Sequence, residues 1–296
     1  MGFLNSKTNR YLFAIIVIAS FTIFLVFYFL NNLNNSNRLI NKLENALTTT
    51  KNLFEEQKRY ALSLSILLSE DKTIIDSFIK KDRKKSFQIV NTKIKTLKQL
   101  QNSTLEIQIH NKNLTTYIRS WDINTKNLNL ASFRQGLIKV AKEKKPIVSI
   151  ELGERLNIKA ISPIIENNEY LGSVEAIIDF DYLSHELAKK GYELFVLLDK
   201  EYLNIASELK NKKRIKDYIL INKANIHHLN NLDLDNIKDY GYISNENYSF
   251  AYFSYYGLDN KHLGYIFTGI DNNKHLDISN DYKYETIYIN SKVKIK

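Results

Sequence analysis

Between Leu105 and Asp179 the chain repeatedly alternates apolar residues with polar or ionisable ones. A side-chain period of two marks a β-strand with one buried face. The first run is Leu105-Glu106-Ile107-Gln108-Ile109-His110; Asn111-Lys112-Asn113 is a polar tip, and 114–121 is the second run. After a helical interval come 147–151, 157–161 and 171–179. Parity puts Gln108 with His110, and Tyr117 with Arg119 and Trp121. It sets Glu151 opposite Val148 and Ile150, and Lys159 opposite Ile158 and Ala160. Glu175 and Asp179 fall opposite Val174 and Ile178. Such a sheet has an apolar face that can pack a helix and a second face, rich in ionisable and aromatic groups, that can hold a small polar ligand.

The 296 residues allow one large or two ordinary domains, and 44% hydrophobic content suffices for cores. The net charge of +10 is spread through a chain rich in Lys, Asn and Ile, with no Arg-rich block. Nucleic acid is therefore not an expected partner. Cysteine is absent, which excludes disulfides, thiol catalysis and Cys-based zinc sites. His185, His227 and His228 lack partners at metal-ligand spacing, so neither a metal nor another cofactor is expected. No phosphate loop, dinucleotide fingerprint or Gly-Xaa-Ser-Xaa-Gly elbow occurs, and the chain reads as a non-enzyme.

Residues 11–30 form an apolar run without a charge. As a helix it spans ~30 Å, the thickness of a bilayer core. A cleavable signal peptide has a shorter apolar region, so an uncleaved anchor is expected. Lys7 and Arg10 precede the run and Arg38 is the next cation after it. This bias puts residues 1–10 in the cytoplasm and the rest in the periplasm, a single pass through the inner membrane. No glycine or proline interrupts 3–135. Within that stretch, 36–79 reads as a stalk helix with one stripe through Leu39, Leu43, Leu47, Phe54, Ala61, Leu64, Leu68 and Ile75. A second helix is expected over 84–101.

A helix is expected over 132–144 with Phe133, Leu137 and Val140 on one side, stopped by Pro146. Gly153 and Asn167-Asn168 read as turns, and 182–190 as a short helix ended by Gly191. These parts make a first module over 102–190. A second, smaller module is expected over 191–271: a strand at 193–198, a Lys-rich helical segment through Ile221, and strands at 240–244, 248–255 and 262–269. Tyr242, Tyr252 and Tyr255 are expected to pack in it. The tail, 272–296, is polar and has no run able to cross a bilayer.

This order of parts resembles the double Cache sensor domains of bacterial chemoreceptors and sensor kinases, in particular the subgroup frequent in ε-proteobacterial chemoreceptors. The resemblance runs through His110, Tyr117-Ile118-Arg119-Ser120-Trp121, Ser132-Phe133-Arg134, Lys144-Lys145-Pro146-Ile147-Val148, Ile150-Glu151-Leu152-Gly153, Ile161-Ser162-Pro163-Ile164 and Leu171-Gly172-Ser173-Val174-Glu175. It covers about residues 36–271. It implies an α+β fold of an N-terminal transmembrane helix, a long stalk helix and two PAS-like antiparallel-sheet modules, the first membrane-distal. It also implies a sensor of a small ligand, used in signal transduction or chemotaxis. Two departures stand out. Lys159 replaces the usual Arg, removing a planar fork for an anion, and the second span and cytoplasmic output region do not follow.

Candidate site residues follow from this reading. Arg119, Arg134 and Lys159 can converge on a carboxylate, walled by Tyr117 and Trp121. Alternatively, Arg119 and Arg134 pair with Glu151 or Glu175 inside the module. Glu151, Glu175 and Asp179 can bind an amine, or make internal ion pairs. His110, at a strand end, is a further candidate. The competing reading is a structural or interaction protein, a partner subunit or truncated receptor without a pocket. A homodimer, or a pairing with a receptor, is expected along the long helix, with the stripe from Leu39 to Leu68 as its seam.

Overall fold

The structure, a computed structural model, describes residues 7–100 and 104–275. Most of the N-terminal ten residues and of the polar tail lie outside the described residues. Helix α1 (Lys7–Ser69) has 63 residues and a length of ~95 Å. It joins the apolar run and the stalk without a break. From Tyr11 to Leu30 every side chain is exposed, which leaves one apolar helix end as a candidate membrane span.

Beyond that end the main buried line of α1 runs through 43, 47, 50, 54, 57, 61, 64 and 68, with Ala46, Ser65 and Ser69 buried beside it. The steps alternate between four and three, the spacing of one helix face. That face packs on both sheets of its own chain, so Leu43 and Leu47 are 3% and 5% exposed. The expected dimer seam is thus interior to the molecule. The reason is that a stripe at this spacing fits a sheet face as well as a second helix, and the sheets are covalently at hand. The stripe also includes polar members. Thr50 Oγ1 lies 2.7 Å from Thr268 Oγ1, and Ser65 Oγ 2.7 Å from Ser162 Oγ. Both pairs are buried, and each fixes the helix against one sheet.

α1 stops at Ser69 rather than running to Ile79. Asp71 then caps α2 (Lys72–Ile79), accepting from Thr73 N and Ile74 N. Helix α3 (Arg83–Leu100) follows. The first sheet is built from β1 (Leu105–Asn111), β2 (Thr116–Arg119), β3 (Ile147–Leu152), β4 (Leu156–Glu166) and β5 (Glu169–Ile178), with α4 (Gln135–Glu143) between β2 and β3. The strand order is β2-β1-β5-β4-β3, antiparallel throughout. Asn167 and Asn168 take φ of 49° and 66° in the tight turn between β4 and β5. α5 (Asp181–Lys189) ends where Gly191, at φ 79°, donates to Ala188 O and Tyr192 N reaches back to Leu187 O.

The second sheet comprises β6 (Glu193–Asp199), β7 (Arg214–Ile215), β8 (Tyr218–Leu220), β9 (Tyr240–Ser244), β10 (Tyr248–Tyr256) and β11 (His262–Asp271), in the order β7-β8-β6-β11-β10-β9. The expected Lys-rich helix before Ile221 is instead two short 3-10 turns, Lys200–Asn204 and Ser207–Leu209, and the β7-β8 hairpin. The segment's Lys and Arg residues offer no helical apolar stripe, whereas Ile219 and Leu220 fill the sheet beside β6. Tyr242, Tyr252 and Tyr255 are buried packing residues. Phe54 of α1 links the two units, its ring 5.9 Å from that of Phe180 and 6.5 Å from that of Phe253. The second sheet lies nearer the apolar end of α1.

Candidate functional site

Two faces of the first sheet divide by parity. Ile107, Ile109, Ile158, Ala160, Val174, Ala176 and Ile178 are buried in the core shared with α1. The other face carries the polar groups. Pairing sets Arg119 beside Gln108, Gln108 beside Glu175, and Glu175 beside Ile161. The neighbouring row runs Glu106, Ile177, Lys159 and Ser149. His110 pairs with Ser173, and Glu151 with Asn157.

α4 covers this face through its N-terminal end. Its own N-cap residue, Arg134, makes no side-chain cap bond. Glu151 of β3 supplies the acceptor: Gly136 N donates to Glu151 Oε1 at 3.1 Å. A Cβ on Gly136 would stand 2.5 Å from Glu151 Oε2 and 2.8 Å from Ile161 Cδ1, so any larger residue there must push both side-chain ends aside. This cap in trans explains why the helix starts three residues later than Ser132. Leu137 and Val140 seat it on Ile161 and Leu130.

Arg134 is thereby turned into the sheet. Its Nε donates to Glu151 Oε1 at 3.2 Å and its Nη2 donates to Glu175 Oε1. Glu175 is fully buried, and burial alone would raise its pKa. Arg134 and His110 outweigh burial and hold the carboxyl well below the usual range. His110 Nδ1 lies 3.1 Å from Ser173 Oγ, and Nε2 lies 3.4 Å from Glu175 Oε2. Burial pushes the imidazole below its ordinary pKa, against the pull of Glu175. Lys159 is 4% exposed, has no ion-pair partner within 4 Å among the described residues, and burial beside Arg134 pushes it down to about 8. Arg119 Nη1 is 3.3 Å from Glu154 Oε2, and its guanidinium lies 5.5 Å from the ring of Trp121.

His110, Arg119, Arg134, Glu151, Lys159 and Glu175 therefore meet on one face. Trp121 stands at the rim, 39% exposed. Tyr117 and Asp179 do not join them. Register slips in β1 between Ile109 and His110, so that His110 pairs with Thr116. Tyr117 occupies the bulge and turns to the helix side, where its ring meets Phe78 at 4.8 Å. Asp179 lies beyond the end of β5, accepting from Asp181 N at the start of α5. Thr116, Ser149 and Ser173 join the polar face and were not singled out from the sequence. Parity with Lys159 and Glu175 is the signal that finds the two serines.

Five buried polar atoms here make no hydrogen bond of good geometry; His110 Nε2 and Glu175 Oε2 still face each other as an ion pair, which leaves Arg119 Nε, Ser149 Oγ and Glu151 Oε2 without any partner. Outside this cluster only Tyr170 and His262 have such an atom among the described residues. Native interiors leave few such groups, so their concentration marks a place with unused bonding capacity for both a cation and an anion.

Residues 36–272 match the family described as the double sensory domain of two-component sensor kinases, and the chain belongs to that family of Cache sensor domains. These are ligand-binding sensor modules, not enzymes. Among solved structures, the sensor domain of the V. cholerae histidine kinase DctB is 13% identical, with a TM-score of 0.49 over 79% of this chain and 98% of that one. The ligand-binding domain of the Campylobacter jejuni chemoreceptor Tlp3, in complex with L-valine, is 13% identical, with a TM-score of 0.45 over 78% and 90%. That of the Pseudomonas aeruginosa PAO1 amino acid chemoreceptor PctC, in complex with GABA, is 11% identical, with a TM-score of 0.43 over 77% and 97%. No curated protein matches the sequence.

Proposed function

We propose that this chain is a membrane-anchored extracytoplasmic sensor that binds a small polar ligand on the charged face of its first sheet, in signal transduction or chemotaxis. The observation that carries this reading is the set of buried polar atoms left without any partner, Arg119 Nε, Ser149 Oγ and Glu151 Oε2. Glu151 Oε2 offers a free acceptor, suited to an amine. Arg119 and Lys159 offer cationic donors, suited to a carboxylate. Membrane anchoring rests on the exposed apolar end of α1, and the first sheet is the membrane-distal module in this reading. The second reading, an interaction protein without a pocket, is favoured by the mutual pairing of Arg134 with Glu151 and Glu175.

A thermal-shift screen of the detergent-solubilised full chain separates them, because a ligand bound only by the folded state raises Tm by mass action. Organic acids, amino acids, amines and purines form the library. A binder is expected whose shift is lost in Lys159→Met or Arg119→Gln. A screen without a hit across all four classes favours the pocketless protein.

A further inference from the structure

The turn between β3 and β4, Gly153-Glu154-Arg155, touches the charged cluster on one side and the second sheet's unit on the other. On the cluster side, a Cβ placed on Gly153 would stand 2.7 Å from Lys159 Nζ. Glu154 receives Arg119 at 3.3 Å. On the far side, Glu208 N donates to Glu154 O at 3.2 Å, and Arg155 Nε lies 3.3 Å from Glu208 Oε2. The guanidinium of Arg155 also grips Glu106 of β1 through Nη2. Trp121 completes the assembly, its ring 5.5 Å from the Arg119 guanidinium and 5.7 Å from that of Arg155.

We propose that Arg155 is a positioning residue that relays the state of the charged cluster to the second unit, with the 153–155 turn as the lever. Its physiological meaning, ligand occupancy, rests on the function proposed above. The physical reasoning is local. Lys159 and Arg119 are the cations with least compensation in the cluster, and both abut the turn. Any anion that draws them inward breaks the Arg119–Glu154 pair and withdraws Lys159 Nζ from the space beside Gly153. The turn's outer half is tied to Ser207–Leu209 by a main-chain bond and by the Arg155 fork. One half-exposed ion pair contributes little alone. Here it acts beside a backbone bond and divides its donors between two units, so displacement of the turn changes both. Coupling of this kind is reciprocal, so a change at Glu208 must also be felt at Trp121.

Trp121 is the single tryptophan of the chain, so its fluorescence reads the relay in the full-length protein in detergent. Glu208→Gln should shift Trp121 emission and raise its quenching by acrylamide. Lys223→Gln removes a different contact of the second unit, the 3.0 Å pair with Asp181 on α5, and should leave Trp121 unchanged. Hydrogen exchange tests the other direction. Lys159→Met should change exchange at the Glu208 amide by about twofold or more, the low end of coupling between contacting groups, and Arg155→Gln should abolish that response. Wild-type fluorescence in Glu208→Gln overturns the relay, as does an equal shift in Lys223→Gln or an exchange response that survives Arg155→Gln. The fluorescence arm stands even where Lys159→Met fails to fold. None of these measurements uses a ligand: a fruitless compound screen defeats the sensor reading without touching the relay, and a positive screen with flat fluorescence and exchange defeats the relay alone.

Discussion

At the scale of single residues the charged cluster behaves as a set of opposed ionisations, and pH exposes it. Lys159 keeps a folded pKa of about 8 against ~10.4 unfolded. Between those values the unfolded chain binds more protons, so stability rises with pH across that window. Comparing urea unfolding at pH 7.5 and 10, wild type should gain up to roughly 2–3 kcal/mol relative to Lys159→Met. Glu175 has the opposite placement. Its folded pKa lies below the ~4.3 of the unfolded chain, so its contribution is present above that pH and is lost as pH falls toward the folded value. His110, held below ~6.5, adds a loss that begins on acidification below that point. Glu175→Gln leaves Arg134 with Glu151 alone in a buried place and should cost about 3–5 kcal/mol at pH 7. The deficit should shrink in denaturation curves taken near pH 3. The types of these residues and their common face were readable from alternation. The pairing of Arg134 with Glu151 and Glu175 was one of two alternatives left open, because Arg134 enters from a loop whose direction no strand period fixes.

Elements show where a simple period misleads. The bulge in β2 takes Tyr117 off the face that parity assigns it and puts Thr116 there, with Gln108 Nε2 donating to Thr116 Oγ1 at 3.0 Å. Tyr117→Phe removes a hydroxyl that is 3.5 Å from Ser77 O and Ser86 Oγ. It should cost less than ~1 kcal/mol and leave the Tm shift of any compound found by the screen unchanged. Thr116→Val should alter that shift. α1 offers the same lesson at larger scale. The leucine stripe was legible, whereas Thr50, Gln57 and Ser65 were skipped because they are polar, yet they complete the face. Leu43→Ala should lower the stability of the isolated chain by about 2–5 kcal/mol, as scored by denaturant titration at protein concentrations spanning two orders of magnitude. A loss that vanishes at low concentration would return Leu43 to an intermolecular seam.

For the whole molecule, α1 is one rod that carries an exposed apolar end and the backs of both sheets. Its two buried hydroxyl pairs, one per sheet, make any axial shift or rotation of the rod a change in both units. The orientation proposed from Lys7 and Arg10 is tested by a fusion after Lys296. A reporter enzyme active only in the periplasm should work there, and activity solely from a cytoplasm-dependent reporter would reverse the topology.

The apolar run, the long helix, the strand alternation, the Asn and Gly turns and the family were all legible in the order of residues. Each is a local signal, written in residues within a few positions of one another. Tertiary structure alone decided the rest. It buried the helix stripe inside its own chain, because the sheets that cover it lie distant in sequence. It started α4 at Gln135, because the cap comes from Glu151 on another strand. It turned the Lys-rich segment into a hairpin, because β6 offers an edge to pair with. It also moved Tyr117 and Asp179 out of the site, because one extra residue in a strand inverts its facing and a strand's end withdraws its side chains from the sheet.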